Sequence, residues 1–104
     1  MDKINLNKDQ KLVVDSFYIV KTKKNLNNFI EDLFSQEETL DLAQRLKIAK
    51  FILDGKTYEE IAAEIPVSTS TISKIGQVIK FGKGGFALLQ NSTKAQKSRE
   101  VTKT

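Results

Sequence analysis

Thr57 to Phe86 reads TYEEIAAEIPVSTSTISKIGQVIKFGKGGF, two short helical patterns on either side of a proline, followed by a glycine cluster. Thr57 opens TYEE, a capping box in which the Thr hydroxyl accepts an amide and Glu60 reaches back. Pro66 disfavours helix at Ile65, so the first helix ends by about Glu64. Ser68 caps the second helix, which ends near Phe81 with Gly82 beyond it. Two helices joined by a short turn form a helix-turn-helix when a small residue sits at their crossing and apolar residues seal the angle. With Tyr58 as the first position, Ala62 supplies the small residue, and Ile61, Ile65, Val67, Ile72 and Ile75 supply the seal. The ninth position is Pro66 where glycine is usual; proline cannot adopt a positive φ, so this turn is built differently.

If Val67, Ile72 and Ile75 face inward, helical phase turns Ser70, Ser73, Lys74 and Gln77 outward, with Ser68 and Thr69 at the amino end. Small hydroxyls allow close approach to a DNA groove, Lys74 can donate to guanine, and Gln77 can pair with adenine. Lys80 and Lys83, at the helix end, suit contacts to the DNA backbone, though they equally offset the helix dipole. With no Arg on this face, shape and water carry part of any specificity. The same pattern also occurs in helical pairs that never touch DNA, and STST is also an ordinary capping sequence. The cluster GKGG matches neither the spacing of a P-loop nor that of a dinucleotide fingerprint, and no strand precedes it; a helix-ending turn accounts for it.

Upstream, a first helix is expected from about Asn7 or Lys8 to Val20. Its apolar residues Leu12, Val13, Val14, Phe17, Tyr18, Ile19 and Val20 are too many for one stripe, so it needs cover on two sides. A second helix is expected over Leu26–Phe34, with Leu26, Phe29, Ile30, Leu33 and Phe34 on its inner face. SQEE, from Ser35, is another capping box and starts a third helix, with a possible break near Ala43, that runs to Gly55, a residue suited to the left-handed position after a helix end. A last short helix after Gly85 carries Phe86, Leu88 and Leu89. The whole reads as all-α: one helical domain over 1–91, with 8–54 forming core and dimerisation helices, 57–81 the helix-turn-helix and 86–90 the last helix. Residues 92–104 form a polar, basic tail.

Composition narrows the chemistry. The 104 residues include no Cys and no His, which excludes disulfides, thiol chemistry and a zinc site; no cofactor or metal is expected. No segment resembles a signal peptide or a bilayer span, and a cytoplasmic location is expected. The net charge of +4 is unevenly placed. Residues 1–55 hold nine Lys/Arg and nine Asp/Glu, whereas residues 56–104 hold eight against four. Between Ile65 and Arg99 lie six basic residues and no acid, the footprint of a surface that meets a polyanion such as double-stranded DNA, or else of a solvated face.

LAQRLKIAKFILDGKTYEEIA, STSTISK and FGKGGF together give a chain that resembles the Trp repressor superfamily, most of all its YerC/YecD branch. The resemblance covers about Leu33 to Leu89. It implies a Trp repressor-like fold, an intertwined homodimer, and two reading heads meeting successive major grooves of a palindrome. Helix-turn-helix dimers as a class, Trp repressor among them, read half-sites about one DNA turn apart. In the Trp repressor proper, tryptophan is held by an Arg of the preceding helix and by an Arg-Gly pair of the recognition helix. Arg45 matches the first; Lys74 and Ile75 align with the pair, and the branched Ile75 stands where glycine makes room for an indole. Thr71 also matches a family contact, although a buried Thr bonded to its own helix explains it equally. Arg45 and Thr71 are thus candidate remnants of a ligand pocket, with Arg45 read first as a structural or DNA-facing cation, and no tryptophan response is expected.

Enzymatic activity is not expected, because Glu31/Asp32, Glu37/Glu38 and Glu59/Glu60 sit at helix surfaces or caps instead of facing each other in a pocket. The expected function is that of a sequence-specific transcriptional regulator, by analogy a repressor. The competing readings are a helical protein-interaction module and an architectural DNA binder with no specific operator.

Overall fold

The computed structural model describes the backbone of residues 2–90 and the side chains of residues 7–90. The tail expected over 92–104 lies outside the described residues. Five helices follow one another: α1 (Asp2–Val20), α2 (Lys23–Leu33), α3 (Gln36–Leu53), α4 (Tyr58–Glu64) and α5 (Thr69–Phe81). Residues 87–90 add a last helical turn, and no strand occurs among the described residues. The chain divides into two compact units, Met1–Leu40 and Asp41–Thr104.

In the first unit, α1 and α2 pack together through an edge-to-face contact of Phe17 with Phe29, ring centroids 5.2 Å apart. The connection turns within three residues, Thr22 N–H donating to the Val20 carbonyl at 2.7 Å, with Lys21 at φ 60°. α1 begins at Asp2, ahead of the expected Asn7 or Lys8. α2 begins at Lys23, not Leu26, because the Thr22 hydroxyl caps it by accepting from Asn25 N–H. Its first turn, Lys23 to Asn25, is polar and therefore carries no apolar period to read. Leu33, expected inside, is 51 % exposed, and Phe34 is the extended C-cap, ending α2 one residue early.

The SQEE box forms as expected. Ser35 Oγ accepts from Glu38 N–H at 3.0 Å, and Glu38 Oε1 accepts from Ser35 N–H at 2.9 Å. α3 runs without interruption; the possible break near Ala43 is absent. It stops at a Schellman motif in which Lys56 N–H donates to the Phe51 carbonyl and Gly55 N–H to the Ile52 carbonyl, both at 3.0 Å. Gly55 takes φ +93°, which side-chain-bearing residues rarely adopt.

The second unit has its own core of Ile48, Ala49, Ile61, Ile65, Ile72 and Ile75, with Phe51, Ile52, Ala62, Val67, Ile79, Phe86 and Leu89 packed around it. Every seal position of the helix-turn-helix pattern therefore lies in or against the core. Lys56 ties the α3–α4 turn down: its ammonium is 2.9 Å from Glu64 and 5.0 Å from the Phe51 ring centroid. The hydrogen bond to Glu64, reinforced by that carboxylate's charge, raises the Lys56 pKa above its ordinary value. The last helical turn is tied to α3 by Gln90 Nε2, which donates to the Leu53 carbonyl at 2.8 Å.

Candidate nucleic-acid interface

Thr57 caps α4 through the full capping box, with Glu60 N–H donating to Thr57 Oγ1 at 3.1 Å and Thr57 N–H to Glu60 Oε1 at 2.8 Å. The helix stops at Glu64, ahead of Pro66. The turn around that proline is a three-residue one: Val67 N–H donates to the Ile65 carbonyl at 2.7 Å. A γ-turn of this kind places a residue of negative φ at its centre, so proline serves where a wider turn would call for glycine.

Ser68 then caps α5, its hydroxyl accepting from Thr71 N–H at 3.2 Å. Ile72, Ile75 and Gly76 are the buried residues of the helix. Thr69, Ser70, Lys74, Gln77 and Lys80 are exposed on it, and Ser73 is half-buried. The division follows from a period of 3.6: a face that buries positions 72, 75 and 76 leaves 70, 74 and 77 outside. Ser68 is exposed but already engaged, since its oxygen also lies 3.2 Å from Thr71 Oγ1. Lys83 is exposed on the segment after α5. α5 ends at Phe81 as expected, with Gly82 extended at φ −83°, ψ −155°, and a positive φ on Gly84. Gly82 is nonetheless specific, because a Cβ there would stand 2.5 Å from the Val78 carbonyl oxygen.

α5 and the segment beyond it thus present hydroxyl, amide and ammonium groups with no carboxylate, and two of the three acids of α4 are engaged elsewhere. Glu60 closes the capping box and Glu64 holds Lys56. Such a surface presents hydrogen-bond donors and positive charge, as phosphates and base edges require.

The two residues read as pocket remnants differ in their surroundings. Arg45 is exposed and makes no ion pair among the described residues. Thr71 is half-buried, its hydroxyl directed to Ser68 of the same helix end. Ile75 is 8 % exposed and belongs to the core.

Sequence reasoning passed over Tyr58. Its ring lies against Gly76, the buried glycine of α5, where a Cβ would strike the Tyr58 hydroxyl. The signal available was a glycine inside a helical pattern, which usually marks close packing.

These features define an all-α protein with a helix-turn-helix whose second helix offers a polar, cation-bearing face. The model of the Trp repressor protein family matches residues 8–93, and the chain belongs to that family of DNA-binding regulators. A curated relative, the uncharacterized protein YerC of Bacillus subtilis, is 28 % identical over 89 residues, 86 % of each chain. Among solved structures, a TrpR-like protein from Eubacterium eligens superposes with a TM-score of 0.72 at 26 % identity, covering 83 % of this chain and 89 % of that one. Both place the chain in the YerC-like branch. No helix among the described residues is long and apolar enough to cross a membrane.

Proposed function

We propose that this chain is a transcriptional repressor that binds a palindromic operator as a homodimer, with α5 as its recognition helix. The observation that carries the reading is the division of α5 into a buried face, Ile72, Ile75 and Gly76, and an exposed one, Thr69, Ser70, Lys74 and Gln77. Lys80 and Lys83 add charge for the phosphate backbone. Ser68 acts through its cap, presenting the helix amino end to a phosphate.

Dimerisation is supported by the apolar surface each unit leaves open. Among residues 7–20 of α1 no side chain is buried, and Leu12 and Ile19 are 67 % and 74 % exposed. In the second unit Val78, Phe81 and Leu88 are 51 %, 78 % and 67 % exposed. Exposed apolar surface on this scale marks an interface, and a two-fold dimer is the commonest closed solution.

The operator is found by selecting bound duplexes from a randomised pool at near-physiological salt without tryptophan. An enriched palindrome with half-sites about one turn apart is expected. Binding without enrichment would indicate an architectural binder, and no binding a protein-interaction module. Affinity should fall steeply with salt, because each phosphate contacted releases counterions.

Two lysine substitutions separate the assigned roles. Lys83→Ala should weaken binding to all sequences alike, and Lys74→Ala should also relax preference at one base pair, by about 1–3 kcal/mol of discrimination. A uniform loss for Lys74→Ala, seen by competition among single-base variants of the site, would remove Lys74 from base readout. Tryptophan is not the effector on this reading, since Ile75 occupies the space of the indole. Isothermal titration should therefore show no heat of binding at tryptophan concentrations up to about 1 mM, and micromolar binding would overturn that assignment.

A further inference from the structure

We propose that Tyr58 is a positioning residue for the reading head: it braces α5 through Gly76 and holds the recognition face at its angle to α4. The inference rests on the DNA-binding reading above. Two packed helices that touch at one place can rock about it, and a second contact some distance away fixes the angle. Here the first contact is the buried cluster of Ile61 and Ile65 on α4 with Ile72 and Ile75 on α5. Tyr58 lies about 4.5 Å further toward the amino end of α4 than Ile61, at the usual rise of a helix, and Gly76 directly follows Ile75, at the carboxyl-terminal edge of the buried cluster on α5. Tyr58 and Gly76 therefore form a contact at the edge of the apolar one, displaced from it along α4.

The contact depends on glycine. A Cβ at position 76 would collide with the Tyr58 hydroxyl and stand 3.1 Å from its Cζ. The base of the ring cannot retreat easily, because Tyr58 directly follows Thr57, whose capping box fixes the first turn of α4. Tyr58 as a residue is 36 % exposed, so its ring has room to yield by swinging outward. Enlarging Gly76 thus removes the brace without opening the core. Alanine is also the better helix former, so the helix itself is not weakened. Loss of binding without loss of stability is the signature that separates a brace from a core residue.

The test compares wild type, Tyr58→Ala, Tyr58→Phe, Gly76→Ala and the double variant Tyr58→Phe/Gly76→Ala, by affinity for the selected duplex and by thermal unfolding. Gly76→Ala and Tyr58→Ala should each lose about tenfold in affinity, the worth of one misplaced base contact. Gly76→Ala should unfold at or above the wild-type temperature. Tyr58→Phe should bind like wild type, and the double variant should recover most of the Gly76→Ala loss, because the deleted hydroxyl is the group the new methyl meets. Wild-type affinity for Gly76→Ala, or no recovery in the double variant, would overturn the brace. So would a loss for Tyr58→Phe equal to that for Tyr58→Ala, which would instead assign the hydroxyl to a phosphate. If the wild type binds no duplex, the DNA-binding reading itself has failed. The brace is then judged from backbone amide shifts: changes in Gly76→Ala spread over Thr69–Gln77 and reversed by Tyr58→Phe support it, and changes confined to position 76 overturn it.

Discussion

Replacing both Leu12 and Ile19 by aspartate is expected to turn a dimer into a monomer and to lower affinity for a two-half-site duplex about 10²- to 10⁴-fold, the range lost when linked contacts become independent. The two residues are seven apart, two turns of α1, and so share one face. They are 67 % and 74 % exposed, whereas Phe17, on another face, meets Phe29. Burial of a side chain of this size contributes about 1.5–3 kcal/mol. A two-fold interface holds four of them, and aspartate both removes that gain and adds an unpaired carboxylate at a surface that must lose its water. The helices are expected to survive, because both side chains are exposed and neither belongs to the buried core of the second unit. Sedimentation velocity should show a single species of half the wild-type mass with unchanged helical content by circular dichroism. A variant that sediments like wild type would remove this face of α1 from the interface. A monomer that kept full affinity would instead show that one reading head suffices.

The features legible in the sequence were those set by local rules. Both capping boxes, Thr57–Glu60 and Ser35–Glu38, formed because the groups that close them are three residues apart and need nothing from the rest of the chain. The core half of the helix-turn-helix was legible for a related reason. Ile61, Ile65, Ile72 and Ile75 recur at helical spacing, and all four are buried. What escaped were features decided by a partner across space or by backbone geometry without a side-chain signature. The start of α2 at Lys23 lies in a polar stretch with no period, and Thr22, its cap, has no acid three residues on to announce it. At Gly82 the close approach of the Val78 carbonyl leaves no room for a Cβ, a constraint without a sequence signature. Pro66 could be read as an anomaly, but not as the centre of a three-residue turn. Tyr58 was read only as the first position of a motif, because its contact with Gly76 joins residues eighteen apart.

The candidate site shows the same division. Helical phase alone places Ser70, Lys74 and Gln77 outside, and they are exposed. The cap read at Ser68 also forms, its hydroxyl accepting from Thr71 N–H, but neither phase nor the capping rule reveals that it lies beside the Thr71 hydroxyl. That engagement changes what position 68 can do. A hydroxyl already accepting at its own helix end has less capacity left for a base, so the free polar groups at the tip reduce chiefly to Thr69 and Ser70. Readout by small hydroxyls with one lysine and one glutamine suits a site recognised partly through the shape of the duplex.

Ile61→Ala is expected to cost about 2–5 kcal/mol of stability, the range for truncating a fully buried aliphatic side chain. Ile61 is 0 % exposed and belongs to a buried cluster of only six residues, drawn from α3, α4 and α5 and the turn between the last two. Domains of this size are stable by about 5–15 kcal/mol in all, so the loss is a large part of the total. Ile48 and Ile72 of the same cluster are also fully buried, so the cavity would open inside the core and not at its surface. Urea unfolding should show a lower midpoint at unchanged slope, and Ile61→Val should cost only about 0.5–1.5 kcal/mol. Binding should fall through the folded fraction alone. At low temperature, where most of the chain remains folded, Ile61→Ala should keep the base preferences of wild type, unlike Lys74→Ala. If the folded state is a dimer, mass action adds a further signature: raising the protein concentration should restore part of the lost thermal stability. A cost below about 0.5 kcal/mol would mean that the helix-turn-helix is held together by something other than this core, since surface positions typically lie within that margin.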